Sequence, residues 1–261
     1  VERSRGLGDV YKRQMKTQFL VLLCILGSFN TASAQKMHEH EFDRDHRKEV
    51  ACSYNGSNYQ PLLRSNRQFI GKPDHGYSSK SRCDMAAEGS SRNMACNWNG
   101  SNHQPYVFEG NRPLGKVDYG FSKLEACIEA VQTATKYVAC NWNGTNYQPY
   151  LIYNNAYVGK EDYGYNKLAS CTKAVQNSAR RSLICNWNGK NYQPYRLDNN
   201  TPLGKDGYGL TTQDGCMKIV TATVDNYSCN WDGSGYTVYN VETNEATNER
   251  FSNLQSCLDV L

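Results

Sequence analysis

The side chains best suited to chemistry recur in register along this chain. Asn97, Gln104, Lys116, Asp118 and Tyr119 return 44 residues later as Asn141, Gln148, Lys160, Asp162 and Tyr163, and then, in part, as Asn186, Gln193 and Tyr208. Amides, a carboxylate and an ammonium can make the paired hydrogen bonds that read sugar hydroxyls, and a tyrosine ring can stack on a sugar face. The pattern predicts a weak glycan site on the open face of each middle repeat. Multiplicity would make it useful, since linking sites raises apparent affinity by about 10²–10⁴. The same residues also have a plainer reading. Asn and Gln close turns, glycines bend the chain, and an exposed Lys–Asp pair contributes only about 0–1 kcal/mol.

Catalysis is not expected. His38, His40, His46, His75 and His103 are scattered, and His103 stands where other copies carry Tyr59, Tyr147 and Tyr192. No serine or cysteine nucleophile is spaced beside a base, and no Gly-rich phosphate loop occurs. The three N-terminal histidines lie among acids, as in Met37-His38-Glu39-His40-Glu41, and read as part of a solvated tail. No cofactor and no metal are predicted.

The elements that must carry these residues are set by cysteines. Cys52, Cys96, Cys140, Cys185 and Cys229 are spaced 44, 44, 45 and 44 residues apart, and each has a later companion: Cys83, Cys127, Cys171, Cys216 and Cys257. A fixed period of this length marks a tandem repeat. The simplest pairing closes each repeat on itself, giving Cys52–Cys83, Cys96–Cys127, Cys140–Cys171, Cys185–Cys216 and Cys229–Cys257. Metal binding is the rival, and ligand spacing argues against it: no two of these cysteines are closer than 13 residues, and no histidine recurs with them. A module of this size has a small core and needs such a staple, which in the chain-entropy model contributes about 3–4 kcal/mol.

Within the third copy, Tyr137 to Trp142 reads as a strand, Asn143-Gly144-Thr145-Asn146 as a turn, and Tyr147 to Tyr153 as a second strand. Asn154-Asn155 is a second turn before a short strand, Ala156 to Val158. A helix follows, with Ser78, Ser122, Asn166, Thr211 and Ser252 as expected N-caps and Ser122–Glu125 and Ser252–Gln255 as capping boxes. Leu124, Cys127, Ile128 and Val131 form one helical stripe, so the second cysteine faces the sheet. The predicted fold is α+β: five disulfide-closed β-β-β-α repeats of about 44 residues. Their spans are 50–93, 94–137, 138–182, 183–226 and a truncated 227–261. Pro61, Pro105, Pro149 and Pro194 fall inside the second strand, which must bulge there or pair fully on one side only. Trp98, Trp142, Trp187 and Trp231 share the cysteine's face and read as core. The phase of Tyr106, Tyr150, Tyr195 and Tyr239 is open.

Ahead of the repeats, residues 1–14 end in Asp-Val-Tyr-Lys-Arg-Gln, whose coding sequence resembles a transposase-type sequencing adapter, and are read as an artefact upstream of Met15. Residues 15–34 have the order of a secretory signal: Lys16, an apolar run from Phe19 to Leu26, and Ala32-Ser33-Ala34 as the cleavage site. Residues 35–49 are a charged, disordered lead. Removing residues 1–34 takes five of the 29 Lys/Arg and two of the 25 Asp/Glu, leaving 24 against 23. Such a balance gives no drive toward nucleic acid or anionic membranes. It also removes Cys24, and ten cysteines remain, an even number suited to an oxidising compartment. Asn55, Asn99, Asn143 and Asn226 begin glycosylation sequons, although a turn needing Asn-Gly accounts for three of them. The chain is therefore expected to be a secreted repeat protein that binds glycans or a cell surface. The alternatives are a self-associating matrix protein and a multi-headed inhibitor of secreted hydrolases. The near-constant Asn-Gly-x-Asn turn argues against the inhibitor.

Overall fold

The computed structural model describes residues 49–178 and 182–261. The adapter-like segment, the signal and all but Glu49 of the charged lead lie outside them. Each repeat opens with an antiparallel hairpin. These are β1 (Val50–Tyr54) with β2 (Tyr59–Leu63), β4 (Met94–Trp98) with β5 (His103–Val107), and β7 (Val138–Trp142) with β8 (Tyr147–Leu151), then β9 (Leu183–Trp187) with β10 (Tyr192–Arg196), and β11 (Tyr227–Trp231) with β12 (Tyr236–Asn240). A helix closes each repeat: α1 (Lys80–Glu88), α2 (Leu124–Gln132), α3 (Leu168–Asn177), α4 (Gln213–Ala222) and α5 (Leu254–Leu258). The protein is α+β, built of repeated β-β-β-α units of about 44 residues.

The hairpins form because their turns satisfy themselves. Asn143 Oδ1 accepts from the backbone N–H groups of Thr145 and Asn146, and Gly144 takes φ +101°, a left-handed value that glycine adopts without steric cost. Asn99 and Asn188 do the same in their repeats, and Asp232 takes over in the fifth. The proline question resolves toward one-sided pairing. Each proline stands opposite the strand cysteine in unbroken register, as in Cys140↔Pro149. Its carbonyl accepts from the third segment: Ile70, Leu114, Val158 and Leu203 donate to Pro61, Pro105, Pro149 and Pro194. The missing N–H falls on that side, so the third strand stays short. It is two residues long in β3 (Gln68–Phe69) and β6 (Arg112–Pro113), and shrinks to single bridges, Tyr150↔Tyr157 and Tyr195↔Pro202, in the next two repeats. Ala156–Val158 thus follows the expected path with one bridge. In the fifth repeat Val238 replaces proline, and β13 (Ala246–Phe251) runs for six residues.

All five intra-repeat disulfides are formed, with Cα–Cα distances of 5.5–6.2 Å from strand to helix. The helix starts differ from expectation by one residue. The caps are Ser79, Lys123, Lys167, Thr212 and Asn253, and neither capping box is made. Just upstream, Tyr77, Phe121, Tyr165 and Leu210 bridge back to the second strand, which holds the chain extended past the expected cap. The tryptophans are only half-buried, their rings 4.9–5.1 Å from the directly opposite aromatic: His103, Tyr147, Tyr192 and Tyr236.

The hairpins of the second to fifth repeats are covered on both faces. One face, bearing Cys96, Val107 and their equivalents, packs on the repeat's own helix, and that helix also meets the first strand of the next repeat. The other face carries Ala95, Asn97, Gln104 and Tyr106, and is buried against the preceding repeat. Tyr106, Tyr150, Tyr195 and Tyr239 belong to this second face, which settles their phase. The first repeat has no described predecessor. Ser53 and Arg67 stand in place of Asn97 and Asn111, and the turn glycine Gly56 has no neighbour where a side chain would be.

Candidate functional site

Six of the expected ligand-reading residues do not face solvent. Asn97, Gln104, Asn141, Gln148, Asn186 and Gln193 are all at most 1% exposed. The face expected to be open is closed by the preceding repeat. There Asn97, Asn141, Asn186 and Asn230 donate from Nδ2 to the carbonyls of Ile70, Leu114, Val158 and Leu203 at 2.6–2.8 Å. The glutamines are used inside their own repeat. Gln148 Nε2 donates to Lys160 O (2.8 Å), and its Oε1 accepts from Asn143 Nδ2 (2.9 Å). Gln104 and Gln193 make the same pair of contacts with Lys116 O and Asn99, and with Lys205 O and Asn188.

A second set of junction asparagines was not anticipated as functional. Asn111, Asn155, Asn200 and Asn244 take positive φ in the second turn. Their Oδ1 atoms accept from the N–H of Gly71, Gly115, Gly159 and Gly204 of the preceding repeat at 2.6–2.7 Å. The signal available was their recurrence in a turn, already spent on explaining the turn. At each such glycine a Cβ would crowd the next repeat's Asn amide or Tyr ring, most severely at Gly71, 2.6 Å from Asn97 Nδ2. Arg112 adds a donation to Ile152 O, and Arg196 one to Glu242 O at 2.6 Å.

The remaining residues do reach solvent, along one rim. Lys72 pairs with Asp118 (2.8 Å), Lys116 with Asp162 (2.8 Å) and Glu161 (3.2 Å), and Lys160 with Asp206 (3.2 Å), so each rung ties one repeat to the next. Hydrogen bonds from Lys116 to Asp162 and Glu161 hold its ammonium above the ordinary amine range. In the fourth repeat glycine (Gly207, φ +82°) takes the left-handed position of Asp118 and Asp162, and the carboxylate moves back one residue to Asp206. Beside the rungs, Tyr119, Tyr163 and Tyr208 lie on the turn glycines Gly144, Gly189 and Gly233 of the following repeat, with His75 on Gly100. Tyr119 and Tyr163 keep 45% and 44% of their surface, and Tyr208 is half-buried with Lys205 Nζ 4.8 Å above its ring. The rim can therefore offer ring faces flanked by ammonium and carboxylate groups, but none of the six amides expected there.

No family model matches this chain, and no curated protein does. Among solved structures, the computationally designed Ika8 protein aligns at 8% identity over 78% of this chain and 60% of its own, with a TM-score of 0.22. That likeness is too weak to carry an argument about fold or function. Among the described residues, no helix is long and apolar enough to cross a membrane. Disulfide-rich tandem repeats of this kind are consistent with an extracellular repeat protein.

Proposed function

We propose that this chain is exported and acts as a multivalent binding protein rather than an enzyme, attaching to glycans or to a cell surface along its rim. One observation supports the reading most directly: Tyr119, Tyr163 and Tyr208 present rings at equivalent steps of successive repeats, on fixed turn glycines. A ring clamped this way loses little conformational freedom on binding, and an extended polymer can engage several at once. The buried Asn and Gln residues are withdrawn from the site. Recognition rests on stacking, with Lys160, Lys116 and Asp118 at its flanks. The chain should be retained on a glycan array or an insoluble polysaccharide. The triple variant Tyr119→Ala, Tyr163→Ala, Tyr208→Ala should lose retention by roughly tenfold or more, as expected when multivalent contacts fail together. Retention that survives the triple variant would remove the rim from consideration.

A matrix role is the second reading. It is favoured by the way the junctions consume the repeated polar phrase, so that its recurrence needs no ligand. Absence of glycan retention, with concentration-dependent association in light scattering, would select it.

A further inference from the structure

Sequon asparagines are scattered through the repeats, and the fold treats them unequally. In Asn55-Gly56-Ser57 and Asn99-Gly100-Ser101 both Nδ2 hydrogens are in use. Asn55 donates to Gln60 Oε1 (2.8 Å) and Pro73 O (2.9 Å), and Asn99 to Gln104 Oε1 (2.9 Å) and Asn102 Oδ1 (2.9 Å). In Asn143-Gly144-Thr145 the asparagine is 3% exposed and its Nδ2 points at the buried Gln148. A glycan replaces one Nδ2 hydrogen with an anomeric carbon, which would cost Asn55 one of its two bonds and, at Asn99 and Asn143, only 4% and 3% exposed, would have to force the turn open.

Two sequons stand differently. In Asn226-Tyr227-Ser228 the asparagine stands just before β11 and is exposed, with Nδ2 making one contact, to the exposed Glu242 (2.7 Å), while Ser228 lies buried in the strand. Asn199-Asn200-Thr201 occupies the second turn of the fourth repeat. Asn199 is exposed, and its Oδ1 accepts from Thr201 N and Oγ1 (3.1 and 2.7 Å), so the amide oxygen rather than Nδ2 holds this turn. Both lie at the second-turn end of the strands: the N–H of Val241, in the second turn of the fifth repeat, donates to Asn226 O. The tyrosine rim lies at the first-turn end.

The geometry points to Asn199 and Asn226 as the N-glycan acceptors of the folded chain, with Asn55, Asn99 and Asn143 kept bare as structural turn residues. In the transfer, a lipid-linked oligosaccharide is the donor. The bond from its anomeric carbon to the pyrophosphate oxygen breaks, a bond to Asn Nδ2 forms, Nδ2 gives up one proton, and the lipid pyrophosphate leaves. Glycan then sits opposite the binding rim. Chains modified at Asn99 or Asn143 cannot close those turns and are lost before export.

The assignment rests on the export reading, so the two are scored separately. The full chain is expressed in a glycosylating eukaryotic secretory host, and its appearance in the medium reports export alone. Secreted, disulfide-complete protein is then deglycosylated enzymatically in ¹⁸O-water, which marks each formerly occupied asparagine as labelled aspartate. Label at Asn199, Asn226 or both, with none at Asn55, Asn99 or Asn143, is the expected result. Asn226→Gly and Asn199→Asp should remove the corresponding glycan mass, and Ser101→Ala with Thr145→Ala should leave it unchanged. Label at any of the three turn asparagines, or at neither Asn199 nor Asn226, would overturn the assignment.

Discussion

At the scale of single residues, burial separates side chains that look alike in the sequence. Asn141 and Lys116 both recur, but one closes a dry junction and the other a wet rung. Asn141→Ala leaves Leu114 O without its 2.7 Å donor and should cost about 1–3 kcal/mol, whereas Lys116→Ala should cost under about 1 kcal/mol. Urea titrations of the two variants measure the difference directly. The fifth repeat already contains a natural swap. Asp232 and Thr237 replace the Asn–Gln pair, with Arg250 Nη2 2.6 Å from Asp232 Oδ2. Burial alone would push the Asp232 carboxyl up, but the N–H groups of Ser234 and Gly235, with Arg250, outweigh it and hold it well below the usual range.

His103 gives a pH handle. Its ring lies between Tyr77 and Trp98, with centroids 5.7 and 5.0 Å away. Burial, assisted by Arg82 and opposed by Glu125, pushes its pKa down to about 4. An unfolded histidine titrates near 6.5, so between these values the unfolded chain binds more protons than the folded one. Stability from the neutral ring is therefore complete above pH 6.5 and is lost as pH falls toward 4, by up to about 3 kcal/mol. His103→Tyr, which installs the residue of the other repeats, should flatten that slope relative to wild type in melts from pH 7 to 4.

At the scale of elements, the turn and the neighbour that lies on it form one unit. Gly56 and Gly144 share nearly the same φ, +102° and +101°, but only Gly144 has a ring over it, 2.5 Å from where a Cβ would be. Alanine at either position carries the left-handed penalty of about 1–2 kcal/mol. Gly144→Ala should cost about 1–2 kcal/mol beyond Gly56→Ala, and Tyr119→Ala should relieve most of that excess in a double-mutant cycle. Most of the elements themselves were legible. Cysteine periodicity, Asn-Gly turns and the Leu124–Val131 stripe are local signals, and hairpin, helix and disulfides follow from them. The helix caps slipped by one residue because the Tyr77↔Tyr59 type of bridge is a long-range pairing invisible to capping rules. The larger error concerned a face. Strand alternation places Asn97 and Gln104 together and opposite Cys96, but a polar face reads as solvent unless one knows that another copy covers it. That cover is a tertiary fact, and half of the candidate site was lost to it.

At the scale of the whole chain, repeats share helices, carbonyls and ion pairs with their neighbours, so nearest-neighbour terms should dominate stability. Trp98, Trp142, Trp187 and Trp231 report on four different repeats, while the first has Tyr54. Denaturation followed by tryptophan fluorescence and by far-UV circular dichroism should give coincident transitions. Replacing Cys140 and Cys171 together by alanine, which opens a closure of 31 residues, should lower the midpoint by the equivalent of about 3–4 kcal/mol. An early partial loss confined to one repeat would instead describe independent beads.

The junction carries a consequence for how such a chain can change its length. Every internal boundary uses the same parts, an asparagine amide on a carbonyl and a glycine N–H on an asparagine, so one cassette such as residues 138–182 carries both halves of a joint. An in-frame duplication of that cassette would meet itself through contacts that already exist, and no new interface would have to be invented. The outer repeats lack this property. Ser53 and Arg67 replace the inbound asparagines of the first, and in the fifth the exposed β13 stands where the outbound glycine would be. Copy number can therefore grow or shrink among the second to fourth repeats, whose joints match, and not by copying the first or the fifth.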